Sequence, residues 1–157
     1  MQHMSLLLAF AIGVIAGLRS MTAPAIVAWA AHLGWIDLSR TPLAFLGSAV
    51  ATYVLTAFML AELVGDKLPR TPNRTALGPF LARILTGALA GAAVNAAAGR
   101  SLVAGALLGG LGGIVGTFGG FQARTGLVRA LKLPYVAAVA EDIVAVGGAL
   151  LITSAVA

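Results

Sequence analysis

No cysteine occurs in the 157 residues, which excludes disulfides, thiolate nucleophiles and cysteine metal sites. Charge is also scarce. Only 10% of residues are charged and 6% aromatic, whereas an ordinary soluble domain is about 25% charged. A soluble fold of this composition would lack the polar surface needed to cover its core. Enzyme signatures are missing too: the chain has no Gly-x-Ser-x-Gly, no phosphate loop and no His-Glu-x-x-His. Ser20 has no general base near it in sequence. The reading is therefore of a protein without catalytic residues or cofactors. The start does not resemble a cleaved secretory signal. Only His3 precedes an apolar run that continues past any plausible cleavage point.

What the chain has in quantity is hydrophobic residues, 60% of the total. This predicts an all-α membrane protein with a single integral membrane domain over residues 1–157, folded as a compact bundle of about five transmembrane helices. The spans fall at about 5–34, 42–64, 77–98, 101–121 and 135–156. Between the second and third lies the most polar stretch, Gly65-Asp-Lys-Leu-Pro-Arg-Thr-Pro-Asn-Arg-Thr75, whose two prolines and Asn73 predict a loop. Residues 122–132 are read as a second basic connection, leading to Pro134.

The first span is unusual. Gly13-Val-Ile-Ala-Gly-Leu-Arg-Ser-Met-Thr-Ala-Pro24 sets an arginine, two hydroxyl side chains and a proline in an otherwise apolar run. Gly17 and Pro24 predict a broken or kinked helix with Arg19 near its middle. Pro24 has no amide hydrogen to give, and Ser20 and Thr22 can take over freed backbone groups. A guanidinium in hydrocarbon costs several kcal/mol by insertion scales (~3), so it needs a partner or a wet cavity.

Glycine spacing predicts how helices meet. Gly105, Gly109 and Gly113 recur every four residues, as do Gly112, Gly116 and Gly120, with Gly87 and Gly91 repeating the spacing in the third span. Small residues four apart allow close backbone approach. Tight packing within one bundle, a permeation path and a subunit interface are all consistent with the pattern. Gly13-x-x-x-Gly17-Leu-Arg-Ser-Met-Thr22 also matches Gly116-x-x-x-Gly120-Phe-Gln-Ala-Arg-Thr125 in spacing. With five spans the two segments would cross in opposite directions, which makes them a candidate inverted repeat.

The net charge is +5, and the basic residues form two groups. Lys67, Arg70 and Arg74 fall in one loop, and Arg124, Arg129 and Lys132 in another; the other loops hold Arg40 and Arg100. In a membrane protein such groups set orientation and contact phospholipids, and nucleic acid is not an expected partner. The expectation is a bacterial cytoplasmic (inner) membrane protein with both basic loops in the cytoplasm, a cytoplasmic N-terminus and an external C-terminus.

Several segments together resemble a family of bacterial multispanning membrane proteins, the domain of unknown function four-one-two-six. They are Gly17-Leu-Arg-Ser-Met-Thr-Ala-Pro24 with Trp29-Ala-Ala31, Ala61-Glu-Leu-Val-Gly-Asp-Lys-Leu-Pro69, Thr71-Pro-Asn-Arg-Thr75, Gly116-Thr-Phe-Gly-Gly120 and Glu141-Asp142. Tyr135 departs from the pattern, where an acidic residue is expected after Leu-Pro. The resemblance implies a small multispanning membrane protein and carries no established activity.

The candidate polar site comprises Arg19, Ser20, Thr22, Glu62, Arg83, Glu141 and Asp142. Arg19 reads either as a structural cation neutralised by a carboxylate or as a fixed charge that holds an anionic group. Glu62, Asp66, Glu141 and Asp142 lie toward one side. They would pair with arginines, relay protons, or hold a hard divalent cation through oxygen ligands. The expected function is a small transporter or channel with a buried arginine–carboxylate site for an anionic solute or lipid phosphate. One copy offers little room for a path, so a homo-oligomer is expected. The alternative is a membrane scaffold or lipid-binding subunit that packs through its glycine faces.

Overall fold

The computed structural model describes residues 2–65 and 76–157. Asp66, Lys67, Arg70 and Arg74 lie outside these. Among the described residues the chain is helical, with no strand: α1 (Gln2–Leu18), α2 (Thr22–His32), a 3-10 turn at Ala44–Gly47, α3 (Ala49–Gly65), α4 (Leu77–Ala97), α5 (Leu102–Leu131) and α6 (Pro134–Val156). Of these, α4, α5 and α6 are long and apolar enough to cross a membrane, whereas α1 and α3 are apolar but have 17 residues each. The protein is a helical membrane bundle.

The break in the first span is real, but it is a reversal and not a kink. On one side of it, Gly17 of α1 lies against Gly113 and Thr117 of α5, and Gly13 lies against Gly109. Thus α1 runs parallel to α5. On the other side, Asp37 and Thr41 sit beside Gly99 and Arg100, at the turn where α5 begins. Straight continuation of α1 would carry residues 37–41 away from that turn. Therefore α2 runs back beside α1, and Arg19-Ser-Met21 forms the apex of a helical hairpin.

Pro24 permits this turn. It occupies the third position of α2, and the first helical hydrogen bond is donated by Ala25 to the Met21 carbonyl at 3.1 Å. The amide that proline lacks is one the helix could not have used. Gly17 lies inside α1, where it serves close packing; the break falls two residues later.

The remaining helices alternate in direction. Trp29 donates to Thr56 at 2.8 Å and Met21 to Glu62 at 2.8 Å, so α3 is antiparallel to α2. Arg83 faces Gly113 and Gly91 faces Gly105, so α4 and α5 are antiparallel. Ile15 meets Gly148 and Arg19 meets Asp142, so α6 descends beside α1. Both termini consequently lie at the same end of the bundle, where the five-span reading puts them at opposite ends. The two Gly-x-x-x-Gly segments also run in the same direction. One breaks after Leu18, while 116–125 is continuous helix. They are not related by inversion.

The core is α5 wedged between α1 and α4. A Cβ added at Gly105, Gly109 or Gly113 would fall within 3.0 Å of α4 atoms, and one at Gly112 or Gly116 within 3.0 Å of α1 backbone. The two glycine rows of α5 thus serve two different neighbours. Removing side chains from both faces lets three backbones touch, where dispersion contacts are densest. Gly120 is buried as well. Ile12, Val27, Ala93 and Ala149 bring α1, α2, α4 and α6 into one apolar cluster.

One further expectation is corrected. Residues 122–132 are not a loop: α5 continues through Leu131 and ends at Lys132, whose φ of 54° closes the helix in the left-handed region. Gln122, Ala123, Arg124, Leu127 and Arg129 are good helix formers, and Pro134 then opens α6 at its first turn.

Candidate polar site at the hairpin apex

Turning a chain around inside a bundle exposes amides that no helix can satisfy. Here a third helix supplies the acceptor. Glu62, near the end of α3, accepts from the Ser20 amide and the Ser20 hydroxyl through Oε1, both at 2.8 Å, and from the Met21 amide through Oε2 at 2.8 Å. Met21 makes no side-chain cap of its own. The carboxylate therefore caps α2 from outside, where the helix dipole also favours negative charge.

Two arginines border this contact. Arg83 of α4 is 5% exposed and donates to the Gly17 carbonyl at 2.5 Å, a group left over at the end of α1. Its guanidinium also lies 3.8 Å from Glu62 Oε1. Arg19 is fully buried and pairs with Asp142 of α6. The sequence-predicted residues Arg19, Ser20, Glu62, Arg83 and Asp142 thus meet at one place. Among the described residues each guanidinium thus lies beside a carboxylate, which offsets the cost of burying a lone charge.

The remaining candidates are Glu141 and Thr22. Glu141 points away from its neighbour Asp142, as adjacent helical positions do, and pairs with Arg124 at 3.6 Å. Thr22 is fully buried in the first turn of α2, and its hydroxyl has no hydrogen-bond partner. No three of the described His, Cys, Asp and Glu residues are placed to hold a metal ion. Of the proposed cation ligands, Glu62 is occupied with amides, Glu141 and Asp142 face arginines, and Asp66 lies outside the described residues. Arg19 directly follows the last residue of α1, at the turn before α2.

Sequence reasoning missed the backbone part of the site. The Met21 amide and the Gly17 carbonyl have no side-chain signature; only the apolar run interrupted by Arg19-Ser20 pointed to them.

The geometry sits within the span of a known family. A family model described as Domain of unknown function (DUF4126) matches residues 6–155. The chain belongs to that family. No curated protein and no solved structure matches it. In this DUF4126 protein the matched segment contains the apex residues Arg19, Ser20, Glu62, Arg83 and Asp142 and, apart from their outermost residues, the six helices of the described residues.

Proposed function

We propose that this protein is a small transporter or channel of the bacterial cytoplasmic membrane, with its site at the Arg19-Ser-Met21 apex and a small anionic solute as cargo. The observation that carries this reading is the Glu62 carboxylate held across the Ser20 and Met21 amides beside Arg83. A helix N-terminus with a nearby guanidinium is a ready-made anion site, and a broken helix inside a bundle is how many transporters present such a site. In this reading Glu62 occupies the anion position at rest, and a solute carboxylate or phosphate takes its place when α3 moves. Such motion suits α3, which packs on α2 and the 3-10 turn and has one buried residue, Thr52.

The basic end of the bundle, with Arg124, Arg129 and Lys132, is assigned to the cytoplasm by the positive-inside rule. Both termini are then external. A homo-oligomer belongs to the same reading, because the α1–α4–α5 core is packed backbone to backbone and leaves a path only at its periphery.

The test is chemical rescue. Glu62→Ala in purified protein should lower the melting temperature, and millimolar acetate should restore it beyond an equal concentration of chloride. Adding Arg83→Gln should abolish the acetate effect. Acetate and chloride acting alike would sink the anion site. Rescue without any anion flux in proteoliposomes would favour the second reading, a non-transporting membrane scaffold that packs through its glycine faces. The close approach of the α5 glycines to α1 and α4 is the observation behind that alternative.

A further inference from the structure

A cleft of about 230 Å³ opens between α5 and α6, just beyond the hairpin apex. Leu18 forms its floor, Ala123 and Leu127 one wall, and Ala137, Ala140 and Val144 the other. Its origin is topological. Up to Leu18, α1 fills the space between α5 and α6; at Arg19 the chain turns back, and nothing in the described residues continues along that line. Among the described residues, the cleft lies where a continued α1 would run.

Its depth and rim indicate an occupant. Gly120, on its wall, lies about 28 Å along α5 from the Ser101 turn, so with that turn at one edge of a hydrocarbon layer about 30 Å thick, the cleft lies at the opposite edge. Arg124 and Glu141 are the charged groups lining it. Arg124 is partly exposed, its distance to Glu141 is 3.6 Å, and Arg129 and Lys132 follow on the same end of α5. Among the described residues, Arg124, Arg129 and Lys132 make this end of α5 basic.

We propose that the cleft is a binding site for one anionic phospholipid. Its phosphate lies against Arg124, and the upper part of an acyl chain lies along Leu18, Ala140 and Val144. Arginine at headgroup depth matches phosphate in charge and in geometry. The apolar walls recognise the chain by contact area, and the basic end of α5 favours an anionic headgroup over a zwitterionic one. The site is separate from the apex cluster and does not depend on transport.

The experiment compares detergent-purified wild type, Arg124→Gln and Ala140→Leu with added phosphatidylglycerol, phosphatidylcholine or soluble glycerol 3-phosphate. Native mass spectrometry reads retained lipid, and melting temperature reads stabilisation. Wild type should retain phosphatidylglycerol several-fold more than phosphatidylcholine and melt at a higher temperature with it. Arg124→Gln should lose the preference while still retaining some lipid; Ala140→Leu, which fills the cleft, should lose retention of both lipids. Equal retention of the two lipids by wild type would overturn the proposal. A preference that survives in Arg124→Gln, or glycerol phosphate stabilising as well as the lipid, would do the same. Arg124 is partly exposed and lies outside the glycine rows of α5, so its replacement leaves the backbone-packed core intact.

Discussion

The carboxylate of Glu62 bridges two successive amides, those of Ser20 and Met21, at 2.8 Å each. Residues 42 positions apart in sequence thereby complete one helix start. The contact ties the hairpin apex to α3.

Glu62→Gln should be costly. The amide group keeps one acceptor but offers N–H where the second oxygen was, so a backbone donor loses its partner. Leaving one buried donor unsatisfied costs about 1–3 kcal/mol. The loss of charge beside Arg83 adds to that. Thermal unfolding in a fixed detergent should show the decrease, and Glu62→Asp should not rescue it fully, because its shorter side chain does not reach both amides.

Arg19 and Asp142 should be strongly coupled. Removing one partner of a buried pair costs about 3–5 kcal/mol, because the other charge stays behind. Arg19→Gln and Asp142→Asn should therefore each destabilise sharply, and the double variant by less than their sum. A double-mutant cycle on unfolding free energy reads the difference. Additive effects would mean that the two side chains are not coupled in the folded protein.

Glycine substitutions in α5 should divide by face. At Gly109 an added methyl would fall within 3.0 Å of the Gly87 and Gly91 backbones, neither of which can yield as a side-chain tip can. Gly109→Ala should destabilise by about 1–3 kcal/mol or more. Gly119 and Gly126 face open space in the same helix. Alanine at either should be neutral or stabilise by about 0.5–1 kcal/mol through its better helix propensity. Circular dichroism melts of the three variants would test this.

Asp37, in the connection after α2, should titrate low. Its Oδ1 accepts from the Ser39 hydroxyl at 2.6 Å and the Ser39 amide at 2.9 Å. These two bonds hold the ionised form and lower its pKa from the usual 3.8, with Arg40 contributing in the same direction. The folded value is depressed, so the contribution is present above the unfolded pKa and is lost as pH falls through the folded one. A carbonyl-detected NMR titration should give a midpoint below 3.8, and Ser39→Ala should raise it.

The sequence by itself determined the membrane character, the helical class and the position of the break. Sixty per cent hydrophobic residues and few charges leave no other solvent for such surfaces, and an arginine beside a serine in an apolar run cannot stay in an unbroken lipid-facing helix. It also marked Arg19, Glu62, Arg83 and Asp142, because isolated charges in apolar helices must find partners. Only the tertiary structure decided the direction of α2. Hydropathy records how apolar a segment is and carries no sign for its path, so Ser5 to Gly34 reads equally well as one kinked span or a hairpin. The choice rests on Glu62 reaching the freed amides and on α5 presenting glycine to α1 on one face and to α4 on the other. Those contacts join residues far apart in the chain, and no local pattern encodes them.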